Sequence, residues 1–172
     1  MDSIKKEISF DEAIKLSEHE KFIVSRRDNG LLLSDYQIMV LNRNGHNVKL
    51  WSYNEDEAKL INEEHKCKFL PNIVVPDAIE CYTSLESAVR DTEIVLIVTP
   101  SKAIRATINN LKPFSTENQV FVLCSKGMEP DTQKVYTEVI KEILPNNPIA
   151  ALSGPSHAEE VSRLIPTTCV VG

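Results

Sequence analysis

Residues Glu93-Ile94-Val95-Leu96-Ile97-Val98-Thr99-Pro100 form an unbroken, β-branched run closed by a proline. A run of this kind predicts a strand buried on both faces, which belongs to a parallel sheet covered by helices on either side. Short apolar runs and helix-period runs alternate around it, as a doubly wound α/β domain requires. Ligands in such sheets bind beyond the carboxyl ends of the strands. Function is therefore sought at Thr99-Pro100-Ser101, Ser125-Lys126-Gly127 and Ser153-Gly154-Pro155-Ser156.

Residues 1–42 follow a different rhythm from the rest. Ser9-Phe10-Asp11-Glu12 has the form of a capping box and predicts a short helix to about Glu20. Phe22-Ile23-Val24 reads as a strand, Asp28-Asn29-Gly30 as a tight turn into Leu31-Leu32-Leu33, and Ser34 as the start of a helix that Gly45 ends. From His46 onward strands and helices take turns. Val48 to Trp51 is a strand; Asn54 caps a helix; Leu70-Pro71 and Pro76 mark a loop; Ile79 to Tyr82 is a strand; Thr83 with Glu86 opens a short helix. Ser101 is expected to cap a helix burying Ile104, Ile108 and Leu111, which Pro113 ends. Gln119 to Ser125 predicts a second buried strand, followed by a helix from about Asp131 with Val135, Val139, Ile140 and Ile143 toward the sheet. Ile149 to Ser153, a helix over His157 to Leu164, and a strand from Thr167 to Val171 complete the pattern.

A chain of 172 residues with 42% hydrophobic and 26% charged residues is ordinary for a single globular domain. The formal net charge of −6 argues against nucleic acid or an anionic membrane as partner, while leaving room for a local phosphate pocket. No apolar run approaches the roughly 20 residues of a membrane span, and the charged amino terminus lacks a signal-peptide core, so the expected location is the cytoplasm. Cys67, Cys81, Cys124 and Cys169 form no CxxC pair and are read as buried thiols; His65-Lys66-Cys67 lacks a second ligand pair, so no metal is expected.

Lys126, where a strand gives way to a glycine-containing loop, is a cation able to hold a phosphate or polarise a carbonyl. Taken alone it is better read as a solvated loop lysine. Gly154-Pro155-Ser156-His157-Ala158-Glu159-Glu160 presents a hydroxyl and backbone N–H groups at a helix start, which suits a phosphate, although an ordinary capped helix has the same form. Together, each after an apolar strand, the two stretches are more specific than either alone.

With Arg43-Asn44-Gly45-His46, Val48-Lys49-Leu50-Trp51, Phe69-Leu70-Pro71-Asn72 and Ser125-Lys126-Gly127-Met128-Glu129-Pro130 included, the chain from about residue 43 to 172 resembles the cofactor-binding half of NAD(P)-dependent glycerol-3-phosphate dehydrogenase. The resemblance implies a Rossmann-like, mostly parallel doubly wound sheet with an atypical segment at 1–42. It implies a reaction in which dihydroxyacetone phosphate takes a hydride from NAD(P)H to give sn-glycerol 3-phosphate. It further implies Lys126, Gly154 and Ser156 as substrate contacts, and Tyr53, Lys126 and Ala158 as cofactor contacts. Tyr53 stands where an arginine often meets the adenosine end of NADP, so the choice between NAD and NADP is open.

Two departures qualify the resemblance. Counted back from Gly45-His46 without gaps, the glycines of the family's pyrophosphate turn fall on Asn29, Leu31 and Ser34, so dinucleotide binding is expected to be impaired. The sequence reaches Gly172 before the family's carboxyl-terminal helical domain, whose lysine moves the proton, and no turnover is expected from this polypeptide alone. Residues 1–42 are either a decayed first strand and loop or an unrelated segment joined near Arg43-Asn44-Gly45; in both cases Phe22-Ile23-Val24 is the candidate to fill the middle of the sheet. The rival reading is a non-catalytic binding or regulatory module pairing with an intact dehydrogenase, another partner protein or a second copy. A third, another dehydrogenase on the same sheet, is disfavoured by the joint Ser-Lys-Gly and Gly-Pro-Ser stretches.

Overall fold

A computed structural model describes residues 8–9, 21–26, 41–42, 45–67, 70–154 and 168–172. In chain order, strands β1 (Ile8–Ser9), β2 (Lys21–Arg26) and β3 (Asn47–Ser52) precede helix α1 (Glu55–Glu64). The ribbon β4 (Lys66–Cys67) and β5 (Leu70–Val74) follows, then β6 (Glu80–Tyr82), α2 (Leu85–Val89), β7 (Ile94–Ile97) and α3 (Ile104–Leu111). Next come β8 (Val120–Leu123), α4 (Tyr136–Ile143), β9 (Ile149–Ser153) and β10 (Thr168–Val171). One sheet runs in the order β1-β10-β9-β8-β7-β2-β3-β6. The six strands from β9 to β6 are parallel, and β10 and β1 extend the sheet antiparallel at one edge. This is the strand order of a doubly wound dinucleotide-binding sheet, with its reversal point between β7 and β2.

Phe22-Ile23-Val24 occupies the middle of that sheet. Phe22 pairs with Val48 on one side and Ile94 on the other, and Val24 with Leu50 and Leu96. The chain just before the Rossmann-like rhythm thus supplies the strand that a parallel sheet cannot leave unpaired.

Period-two alternation divides the core between the two faces. On one face Leu96, Val98, Val48 and Leu50 pack with Ala58 and Ile61 of α1; on the other Val95, Ile97, Phe121 and Leu123 pack with Ile104, Ile108, Val139 and Ile140 of α3 and α4. A one-residue slip of any central strand would exchange these sets, so the register is firmly specified. At the outer edge, the Asn62 amide imitates a further strand: it accepts from Cys81 N at 2.8 Å and donates to Cys81 O at 2.8 Å, closing part of the β6 edge.

Helix starts and stops agree in part with the sequence. Asn54 caps α1 by accepting from Glu57 N, and Gly45 takes φ +88 beyond the helical Leu41 and Asn42, donating to Asn42 O at 2.9 Å. Several expectations are corrected. Leu70-Pro71 is not a loop but the start of β5, because His65 at φ 52 turns the chain back and β4 pairs antiparallel with β5. Ser84, not Thr83, caps α2; the Thr83 carbonyl accepts instead from Trp51 Nε1 at 3.0 Å. Ser101 begins a 3-10 turn, Ser101–Ala103, and makes no side-chain cap. Val135 is 44% exposed and extended ahead of α4, and Tyr136 takes the buried position. Cys124 is half-buried, whereas Cys67 and Cys81 are buried. The expected helices before Glu20, from Ser34 to Val40 and over 157–164, and the turn at 28–33, lie outside the described residues.

Candidate functional site

The carboxyl ends of β7, β8 and β9 bring Thr99-Pro100-Ser101, Ser125-Lys126-Gly127 and, from the third stretch, Ser153-Gly154 to one edge. Lys126, exposed beyond β8, donates from Nζ to the Gly154 carbonyl at 3.1 Å, joining stretches 28 residues apart. Ser125 Oγ donates to Thr99 O at 2.6 Å and so ties the end of β8 to the end of β7. Gly127 adopts φ +116; an added Cβ would meet only Tyr136 Cε2, at 3.9 Å, so the torsion and not the room requires glycine there. Ser156 and Ala158 lie outside the described residues.

Thr99 is 2% exposed, and its hydroxyl finds no hydrogen-bond partner among the described residues. A buried hydroxyl without a partner costs stability, and such groups concentrate at functional edges. Thr99→Val, nearly the same shape, is therefore expected to leave the protein as stable or up to about 1 kcal/mol more stable. Thermal denaturation measures this; a fall of several degrees would show that the hydroxyl has a structural partner.

Behind Lys126 the chain from Cys124 to Val135 folds around Glu129, which is 8% exposed. Its carboxylate accepts two parallel bonds from Arg105 of α3, Nε at 2.6 Å and Nη2 at 2.7 Å, and a third from Thr132 Oγ1 at 2.6 Å. Glu142 of α4 takes Arg105 Nη2 at 3.1 Å and pairs with Lys134. The Arg105 fork, with help from Thr132, holds the Glu129 carboxyl down to about 2, and raises the Arg105 guanidinium above its ordinary range. Lys134 first, then Arg105, lowers Glu142. Because the folded state depresses Glu129 below its ordinary 4.5, the stability it contributes is present above that pH and is lost as pH falls toward about 2. Acid titration of the folded protein should show this loss over that window, and Glu129→Gln should flatten it; an unchanged acid limb would mean the pair adds nothing.

At the end of β3, Tyr53 is 45% exposed. Ser52, Tyr53 and Asn54 follow Trp51, so no acid stands directly at the strand end in the sequence. Folding supplies one from α1: Ser52 Oγ donates to Glu57 Oε2 at 2.6 Å, and Glu57 is 5% exposed. The only signal in the sequence was the acid-rich first turn after Asn54. A separate cleft of about 430 Å³ opens at the opposite edge, lined by Arg90, Asp91, Phe114 and Gln119. The Gln119 amide there is spent on Val89 O and Thr92. Among the described residues no cluster of His, Cys, Asp and Glu suits a metal, and no helix is long and apolar enough to cross a membrane.

The family described as the N-terminus of NAD-dependent glycerol-3-phosphate dehydrogenase matches residues 38–172. This chain belongs to that family. Glycerol-3-phosphate dehydrogenase [NAD(P)+] of Fusobacterium nucleatum is 46% identical over 137 residues, 77% of this chain and 41% of that protein. The Clostridium acetobutylicum enzyme of the same name is 40% identical over 134 residues, covering 77% of this chain and 40% of its own length. The chain thus spans about two fifths of the curated relatives it matches. Among solved structures, glycerol-3-phosphate dehydrogenase of Coxiella burnetii superposes with a TM-score of 0.76 at 27% identity, over 84% of this chain and 44% of that one. The Rossmann-like expectation for the fold agrees with this likeness. The family match starts at residue 38, beyond Asn29, Leu31 and Ser34, where the glycine turn is counted.

Proposed function

We propose that this chain is the dinucleotide- and phosphate-binding half of a glycerol-3-phosphate dehydrogenase, that it grips the phosphorylated substrate through Lys126 and the Gly154 stretch, and that it binds the dinucleotide weakly. The observation that carries the reading is the Lys126 Nζ contact with Gly154 O at 3.1 Å, at the sheet edge where ligands of such folds bind.

The described residues suit a nicotinamide dinucleotide beside the reversal point: Thr99 offers a buried hydroxyl, and Lys126 offers charge. When bound, the dinucleotide supplies the hydride that converts dihydroxyacetone phosphate to sn-glycerol 3-phosphate. Lys126 does the holding. An ammonium has three N–H donors; one is engaged by Gly154 O, which leaves two for substrate oxygens and fixes the direction from which they approach. Ser125 cannot share that task while its hydroxyl is bonded to Thr99 O. Ser156 and Ala158 join the site by resemblance, as substrate and cofactor contacts. The proton is assigned to a lysine of the family's second domain, not to Lys126, so the 172 residues by themselves are expected to hold substrate without turning it over. Tyr53 is proposed to face the adenosine end, and Glu57, an acid at the end of β3, leans the choice toward NAD because it would repel the extra phosphate of NADP.

The test titrates the purified chain with sn-glycerol 3-phosphate, NADH and NADPH. Lys126→Ala should weaken glycerol 3-phosphate about tenfold or more, the worth of one charge-assisted contact. Unchanged affinity removes Lys126 from the site. Cofactor oxidation at ordinary enzyme rates, on adding dihydroxyacetone phosphate, would show that the general acid lies within these residues. A second reading, a non-catalytic module, draws on Met128 and Val135, which bridge each other and are 55% and 44% exposed. Light scattering separates it: a monomer that binds glycerol 3-phosphate counts against the module.

A further inference from the structure

Lys126 sits in a poor place to hold still. Its side chain is long and exposed, and the next residue, Gly127, is the one in its loop with the widest backbone freedom. Yet the residues on either side are pinned. Ser125 is bonded to the end of β7 through Thr99 O. Glu129 is fixed from four directions: by the Arg105 fork, by the Thr132 hydroxyl, by its own N–H on Lys134 O at 2.9 Å, and by its carbonyl accepting from Gln133 N at 2.8 Å.

A buried carboxylate is retained only where its partner is well placed, because an unpaired one is strongly destabilising. Here the partner is not local. Arg105 lies 24 residues away, on the helix that follows Thr99-Pro100-Ser101, so the ion pair couples the loop after β7 to the loop after β8. Both loops contribute to the proposed site. Loop structure alone needs no such reach, since the Thr132, Gln133 and Lys134 contacts already close the turn on itself.

We infer that Arg105 and Glu129 are positioning residues, whose bidentate pair sets the loop after β8 so that Lys126 Nζ rests on the Gly154 carbonyl, ready for a substrate phosphate. The inference rests on the proposed role of Lys126 for its consequence in binding, but not for its geometry. Arg105 and Glu129 touch no substrate. They act through the short span Lys126-Gly127-Met128, which swings about Gly127 once its far anchor is released.

The experiment uses the full chain labelled with nitrogen-15, and compares wild type, Glu129→Gln, Arg105→Lys and the charge exchange Arg105→Glu with Glu129→Arg. Two signals are read: the ammonium resonance of Lys126, assigned by its disappearance in Lys126→Arg, and the affinity for sn-glycerol 3-phosphate. Thermal denaturation reports folding separately. Expected is loss of the Lys126 ammonium signal and about a tenfold weaker affinity in Glu129→Gln and Arg105→Lys. The folded spectrum elsewhere should persist, and the charge exchange should recover part of both signals. If Glu129→Gln keeps the ammonium signal and wild-type affinity, the positioning role is wrong. If wild type shows the ammonium signal but no glycerol 3-phosphate binding, the substrate role of Lys126 falls, and the ammonium comparison still decides the geometry. Should Glu129→Gln fail to fold, Arg105→Lys, which keeps the charge and loses the fork, gives the same decision.

Discussion

Placing glycine at positions 29, 31 and 34, with alanine at 32 and 33, is expected to raise the affinity for NADH by about a hundredfold. The physical basis is the way a pyrophosphate is held: backbone N–H groups at a helix start point at it, and the chain comes close only where no Cβ intervenes. Two charge-assisted bonds at about 1.5 kcal/mol each are worth a factor of about a hundred. The fold gives the substitution a place to act. β2 ends at Arg26, paired between β3 and β7, so position 29 comes three residues beyond the end of the strand at the reversal point of the sheet. Asn29, Leu31 and Ser34 themselves lie outside the described residues, and the prediction is carried by the count from Gly45 and by where β2 ends. A fluorescence titration with NADH decides it. If the parent chain already saturates at micromolar NADH, or the glycine variant binds no better, hydrocarbon at these positions is not what limits binding.

The same stretch shows what the sequence could and could not disclose. Strands buried on both faces were legible because β-branched runs such as Ile94 to Val98 have few alternatives. Phe22-Ile23-Val24 was nominated for the sheet by need, since a parallel sheet has no use for a missing middle strand; its pairing with both β3 and β7 follows that logic. Element edges were less legible, for local reasons. Val135 has the spacing of a core residue, but the loop built on Glu129 delays the helix until Tyr136, and the Arg105 that pairs with Glu129 there stands on a helix that no window of local sequence connects to it. Thr83 looked like a cap because of Glu86, yet its carbonyl is claimed by Trp51 from another strand. Of the site, Lys126 and Gly154 were found from spacing and resemblance. Their meeting, the Arg105 clamp behind them and the acid brought to the end of β3 are tertiary facts, visible only once strands far apart in sequence end at one edge.

The largest stability effect is expected at Phe121, which has no exposed surface and lies in β8 between β7 and β9. Its ring packs with the cluster built by Val139 and Ile140 of α4 and Ile104 and Ile108 of α3, so truncation opens a cavity that two helices and two strands must tolerate together. Phe121→Ala should cost about 4 kcal/mol, the sum of lost burial and residual cavity. For a chain of this size that is a fall in Tm of roughly 12 °C. The neighbouring Val122 points to the other face and is only half-buried, so Val122→Ala should cost about 1 kcal/mol. The contrast between adjacent residues tests the division of the core into two faces: a larger loss at Val122 than at Phe121 would mean that the register of β8 is wrong by one. Neither residue lies in the loop beyond β8, so a Phe121→Ala protein held below its melting temperature should still bind sn-glycerol 3-phosphate. Loss of binding in that folded state would mean that the Lys126 edge is held by the depth of the sheet as well as by the Arg105–Glu129 pair.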